Sequence, residues 1–410
     1  MYKERRKKLA EQLPDYSITV IMSGKATYNI GDEMHPFDVD RTFYYFTGID
    51  RENLVLMLIK DGKNVIEKLF IEHYDPSMAK WVGGKILPEE ATKISGITGI
   101  DYVENVEGVI SRYINRIGMA HQYTLLGELS KQELEQPWPV ADLFNKVRAN
   151  QPDVLIRNLA PITAAMRMVK DSHEIEKMKK AIHVTNEGIK AMMKACRDNV
   201  WENELEAHFD FVLKCNQCEH AFHTICATGK NGTILHYGEN NCQSKPGDLV
   251  LVDLGAAYQY YNADISRTFP INGKFSPRQR EVYDIVLRAN KMVQANAKPG
   301  ITTRELNNMV IKFYEEELPK IGLLQDGKRV FDYYWHGVSH HIGLETHDFS
   351  LPDVALAPGC VISNEPGLYL EEEGIGIRIE DDLYITEGGC INLSEEIMKD
   401  PDEIEAFMAK

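Results

Sequence analysis

No apolar run in this sequence is long enough to span a bilayer, and the first residues contain no apolar core of signal-peptide length. The expected location is therefore the cytoplasm, with no membrane partner. No basic stripe is present to follow a nucleic-acid backbone. With a net charge of −16, nucleic acid is excluded as an expected partner. The seven cysteines are odd in number and loosely spaced, which suits free thiols in a reducing compartment and not a disulfide framework. Low-complexity segments are absent. There is no nucleophile elbow or Cys-His signature, which removes the serine and cysteine hydrolases. There is no His-Glu-x-x-His pair, which removes the zinc-helix peptidases.

What remains is a chain of 410 residues, 43% hydrophobic and 26% charged, which favours two domains or one large one with a sizeable core. A short basic cluster, Lys3–Lys8, reads as the solvated face of a first helix. Residues 1–160 alternate strands and helices. Ser17–Met22, Leu54–Ile59 and Val65–Ile71 are apolar, β-branched runs bounded by turn residues. Helices are predicted near Val106–Ile117 and Val140–Asn150 and would cover such a sheet. No chemical motif lies in this part.

Residues 161–410 read differently. Asp171 and Glu174 form a capping box before a helix carrying Ile175, Met178, Ile182 and Ile189 at helical spacing. A second helix is predicted near Glu204–Cys215. Strands follow at Ala221–Thr228, Leu249–Leu254 and Ala263–Phe269, then helices near Pro277–Ala297 and Thr303–Glu317. Further strands and a helical turn near Asp402–Met408 end the chain.

Chemistry concentrates in this second part. Asp253 ends the apolar run Leu249-Val-Leu-Val252. A carboxylate at the end of a buried strand is costly unless paired or bound to a cation. Asp264 follows eleven residues later, and Gly255–Asn262 can reverse the chain to bring the two aspartates together. Two adjacent carboxylates repel unless a cation lies between them. Next come His336, His340, His341 and His347, four histidines in twelve residues of a chain with 13. Glu365 follows an apolar approach and precedes a Pro-Gly turn. Arg378 and Glu380 alternate with Ile377 and Ile379, which places the two polar residues on one strand face. Two Asp, a His and two Glu make a hard, oxygen-rich ligand set. It favours Mn²⁺, with Co²⁺, Fe²⁺ or Zn²⁺ as alternatives. Five ligands exceed one tetrahedral zinc and suit two ions about 3.5 Å apart, the arrangement of metal-assisted hydrolysis. A competing pattern, Cys215-x-x-Cys218-x-His220-x-x-His223-x-x-Cys226, reads as helix-end and strand residues and not as a zinc site.

In this order, the motifs resemble the creatinase/methionine-aminopeptidase "pita-bread" family, in its proline-specific peptidase branch, along essentially the whole chain. The resemblance implies an α+β protein, with a creatinase-like α/β domain over 1–160 and a pita-bread catalytic domain over 161–410. It implies Asp253, Asp264, His340, Glu365 and Glu380 as ligands of two divalent ions. Asp264 and Glu380 would bridge, and Glu365 would also accept a proton. It implies His236 at the developing oxyanion, His347 near the leaving nitrogen, and His336, Arg378 and Tyr369 about the proline. The implied activity is release of the first residue from peptides with an Xaa-Pro N-terminus. The alternatives are a prolidase acting on Xaa-Pro dipeptides, or a metal-free binding protein of the same fold. The first domain carries Arg41-Thr-Phe-Tyr-Tyr-Phe-Thr-Gly48, with Thr42 where many members have Asp. Trp81-Val-Gly-Gly-Lys85 resembles a segment whose tryptophan reaches a neighbouring subunit in related enzymes, which implies a homo-oligomer, dimer or tetramer. A buried core tryptophan is the other reading of Trp81.

Overall fold

The computed structural model describes residues 1–114, 121–129 and 139–409. Two compact units are present, Met1–Ala164 and Ala165–Lys410.

In the first unit the elements run α1 (Tyr2–Gln12), β1 (Ser17–Met22), α2 (Arg41–Thr47), β2 (Val55–Asp61), β3 (Asn64–Ile71), α3 (Pro76–Val82), α4 (Pro88–Ser95), β4 (Ile100–Tyr102), α5 (Val106–Ile114), β5 (Thr124–Gly127), α6 (Pro139–Asn150) and β6 (Leu155–Asn158). The strands form one sheet, ordered β4-β3-β2-β1-β5-β6. The β1–β2 and β2–β3 pairs are antiparallel and the rest parallel. Continuous apolar runs suit strands covered on both faces. Ile18, Val20, Met57 and Ile59 pack with Val109, Ile110 and Phe144 from α5 and α6. Residues 115–117 of the helix predicted to Ile117 lie outside the described residues.

Two expectations fail here. Arg5 and Arg6 of the basic cluster are buried, not solvated. Arg6 donates to the carbonyls of Phe46 (2.8 Å) and Ser95 (3.0 Å) and pairs with Glu67. Those carbonyls lie at the C-terminal ends of α2 and α4, where a cation satisfies orphan acceptors and the helix dipole. Trp81 is 85% exposed, so the core reading of it is wrong; α3 buries none of its residues. Thr42 is buried, and its hydroxyl donates to Glu128 (2.9 Å).

From residue 160 the elements are α7 (Ala160–Met168), α8 (Ser172–Ala195), α9 (Glu202–Cys215), β7 (Glu219–His220), β8 (Ile225–Thr228), β9 (Leu249–Leu254), β10 (Ala256–Tyr258), β11 (Tyr261–Asn262), β12 (Ile265–Pro270), α10 (Pro277–Asn296), α11 (Thr303–Glu317), β13 (Val361–Asn364), β14 (Gly367–Leu370), β15 (Ile375–Arg378), β16 (Asp381–Ile385), β17 (Cys390–Asn392) and α12 (Pro401–Met408). The Asp171–Glu174 capping box is formed, and Ile175, Met178, Ile182 and Ile189 are buried. The second unit has small sheets, β12-β9-β8, β11-β10-β7, β13-β16-β17 and β14-β15, around one apolar core shared with α8, α9, α10 and α11. Of the strand expected over Ala221–Thr228 only Ile225–Thr228 forms, as β8, and β7 lies just before the expected range. Between them Ala221 donates its N–H to Gly255, and the Thr224 carbonyl accepts from Asn240, so the backbone leaves the ladder. Among the described residues, no helix is long and apolar enough to cross a membrane.

Candidate metal centre and active site

Each candidate ligand stands at or near a strand end. Asp253 is the penultimate residue of β9; Asp264 immediately precedes β12. Gln259 and Tyr260 both adopt positive φ (50° and 68°) between β10 and β11. Two such residues make the tight turn whose twist matches paired strands. The register pairs Asp253 with Ser266, so Asp264 lies two residues along on the same face. Glu365 follows β13, and Glu380 lies between β15 and β16. His340 lies in the loop whose next residue, His341, bridges to Ile362 of β13.

The five converge on a cavity of about 580 Å³, together with His236, His336, His347 and Arg378. Ligand atoms of Asp264, His340 and Glu380 all lie within 4.8 Å of one another. His340 Nε2 is 3.3 Å from Asp264 and 3.4 Å from Glu365. Its Nδ1 faces the His341 carbonyl at 3.2 Å. A proton on Nδ1 is thus used by the backbone, which leaves Nε2 as the free donor atom, the arrangement a metal-ligating histidine adopts.

The electrostatics fit a cation. Burial raises the carboxyls of Asp253, Glu365 and Glu380, and neighbouring carboxylates add to it. Glu365 reaches about 7. For His340 burial works downward, yet the bond to Asp264 and the Glu365 charge prevail and hold it near 9. Buried like charges oppose one another unless positive charge is supplied. Asp253 Oδ1 is buried without a hydrogen-bond partner, while its Oδ2 accepts from Arg378 at 2.7 Å. An orphaned carboxylate oxygen in such a cluster is the kind of atom an ion completes. The residues fit two divalent ions.

A second layer holds these groups. Arg378 also donates to Ser266 Oγ (2.7 Å) and the Tyr369 hydroxyl (2.9 Å), and Ser266 Oγ donates to Glu380 (2.7 Å). Tyr369 in turn meets His336 Nε2 at 2.8 Å, and His336 Nδ1 meets the Gly337 carbonyl. Burial, then the Arg378 charge, lowers His336 to about 3, so it is neutral. Tyr369 does not line the cavity, contrary to a direct role at the proline; it is buried behind His336 and Arg378 and aligns them. His347 is exposed, its ring 4.0 Å from that of His340. On α10 the buried Asn290 amide donates to the carbonyls of Asn364 (3.2 Å) and Ile379 (3.3 Å), the residues before Glu365 and Glu380. Ser266 and Asn290 carry no charge, so neither is conspicuous in the sequence.

The cysteine–histidine pattern is no site. His220 faces Asp210 and Thr224, and His223 faces the Gly238 carbonyl. Among the described residues, the candidate ligand cluster is Asp264, His340 and Glu380, and none of these cysteines or histidines joins one.

The signature of metallopeptidase family M24 matches residues 176–387, and that of the aminopeptidase P N-terminal domain matches residues 2–120. The chain is 32% identical to the Xaa-Pro aminopeptidase of Escherichia coli strain K12, over 99% of this chain and 97% of that one. Aminopeptidase P from E. coli, solved with the inhibitor Pro-Leu, superposes with a TM-score of 0.90 at 30% identity, covering 100% of this chain and 97% of that chain. A Bacillus anthracis structure described as a candidate aminopeptidase P reaches a TM-score of 0.95 at 44% identity, over 100% and 97% of the two chains. With its cluster of acids and histidine at the head of these matches, the chain belongs to metallopeptidase family M24 and carries an aminopeptidase P N-terminal domain.

Proposed function

We propose that this protein is a Xaa-Pro aminopeptidase, a metal-dependent hydrolase that releases the first residue of peptides with proline in second position. The observation that carries the reading is the convergence of Asp253, Asp264, His340, Glu365 and Glu380 on one cavity. These five would hold two divalent ions, Mn²⁺ foremost given the oxygen-rich set. Asp264 and Glu380 would be shared, Asp253 would complete one ion, and His340 with Glu365 the other. Such ions supply Lewis-acid polarisation of the scissile carbonyl and an acidified water.

The chain's own residues do the rest. Glu365, which lines the cavity beside His340, would take and return a proton. His236 lines the cavity and offers an N–H to the carbonyl oxygen as its charge grows. His347, whose ring lies 4.0 Å from that of His340, would hydrogen-bond the departing prolyl nitrogen. Arg378 fixes Asp253, and Tyr369 and Ser266 fix Arg378. The exposed α3 with Trp81 supports a homo-oligomer, in which a partner covers that helix. Seven free cysteines suit the cytoplasm.

A peptide panel in Mn²⁺ tests the reading. Xaa-Pro-peptides of three or more residues should lose their first residue, and Xaa-Ala-peptides should not. Turnover of dipeptides alone would make the protein a prolidase. No turnover and no bound metal would leave a binding protein.

A further inference from the structure

His236 makes no hydrogen bond of its own among the described residues, and it is exposed. Its orientation is therefore inherited from the backbone that carries it. That backbone, 228–242, is gathered by one side chain far away in sequence. Glu202, in the first turn of α9, is fully buried. Its Oε1 accepts from the Thr228 N–H (2.7 Å), the Thr228 hydroxyl (2.7 Å) and the Asn231 amide (2.9 Å). Its Oε2 accepts from the Tyr237 hydroxyl (2.8 Å) and the Cys242 N–H (2.9 Å). The Glu202 N–H returns a bond to the Cys242 carbonyl (3.0 Å).

All five partners are donors, and only a carboxylate accepts at both oxygens. A glutamine would turn its NH₂ toward donors whichever way it faced. The five donors belong to four residues: Thr228 and Asn231 precede His236, and Tyr237, its immediate neighbour, and Cys242 follow it. The far side of the loop is also fixed: a Cβ at Gly376 would lie 1.9 Å from the Gly232 carbonyl oxygen. Those glycines let the loop touch β15, the strand that ends in Arg378.

We infer that Glu202 is the positioning residue for His236, holding the imidazole-bearing loop at the distance the reacting carbonyl requires. The inference rests on the role proposed for His236 above. Glu202 itself does not line the cavity. Its removal should act on the chemical step and leave the metal centre intact.

A double-mutant cycle on the full chain tests it, using an Xaa-Pro-peptide and Mn²⁺. Glu202→Gln should lower kcat at least ten-fold, leave KM within about two-fold, and bind Mn²⁺ by calorimetry as the parent does. In a His236→Ala background the same change should cost nothing further in kcat. A Glu202→Gln loss that multiplies with that of His236→Ala, or no loss, overturns the inference alone. Should Glu202→Gln not fold, Tyr237→Phe removes one of the five donors and carries the same cycle, with a smaller drop expected and the same two outcomes against it. A His236→Ala enzyme with parental kcat overturns the site reading and the inference together.

Discussion

Two sets of buried acids in the catalytic unit differ in one respect, the charge around them. Asp348 lies between Arg167 and Lys170, and Asp381 between Arg267 and Lys399. Burial opposes ionisation in both, but the adjacent cations win, and Asp348 falls to about 2. Glu380 is as deeply placed, and Asp253 and Glu365 are half-buried at the cavity; the three face one another, with Arg378 and His340 as the balancing groups. Their carboxyls are raised. The first set is complete within the protein. The second is complete only with added cations. A buried acid cluster therefore announces a site by its imbalance and not by its burial.

Removing a shared acid should have the largest effect. Glu380→Ala is expected to lower kcat/KM by more than about 10³-fold and to reduce bound metal, read by elemental analysis. In the balanced set the same kind of change should act on stability. Asp348→Ala takes from the buried Arg167 and Lys170 the carboxylate they share, a loss of about 3–5 kcal/mol that denaturant titration would register. If Asp348→Ala instead reduced metal content with stability unchanged, the distinction between the sets would collapse.

Titration separates the sets by sign. Asp348 has a folded pKa below its ordinary 3.8. Its contribution is complete above about pH 4 and lost as pH falls through about 2, a matter of about 2 kcal/mol. Glu365 is raised from 4.5 to about 7. In chelated protein it is protonated and harmless at low pH, and its penalty grows from about pH 4.5 to 7. His340, raised from 6.5 to about 9, adds a loss as pH rises through that range. Calorimetry of chelated protein should show its melting temperature falling between pH 5 and 9, and Mn²⁺ should abolish most of that fall. A smaller effect is expected of Tyr369→Phe, which removes one hydroxyl behind His336 and Arg378. KM should rise less than about ten-fold with metal retained, measured by steady-state kinetics.

The carboxylates and histidines were legible because charge at the end of an apolar strand is costly and therefore conspicuous. Apolar runs also gave Ser17–Met22 and Leu249–Leu254 their full extent as strands. The hairpin was legible, but its register was not. Asp253 faces Ser266, since the β10–β11 turn adds residues that no alternation of sequence records. Long-range hydrogen-bond hubs stayed hidden. Glu202 reads as an ordinary helix-start acid, Asn290 as a polar position on an amphipathic helix, and Arg6 as one of several surface cations. Each acquires its meaning from partners 26 to 89 residues away.

Asn290 carries one last consequence. Because a single amide ties the peptide before Glu365 to the peptide before Glu380, any slide or roll of α10 drags both acids in step. The helix is thereby a shared anchor for both arms of the ion-holding pair: a disturbance reaching Asn290 from the far side of the domain is expected to reach both acids and not one.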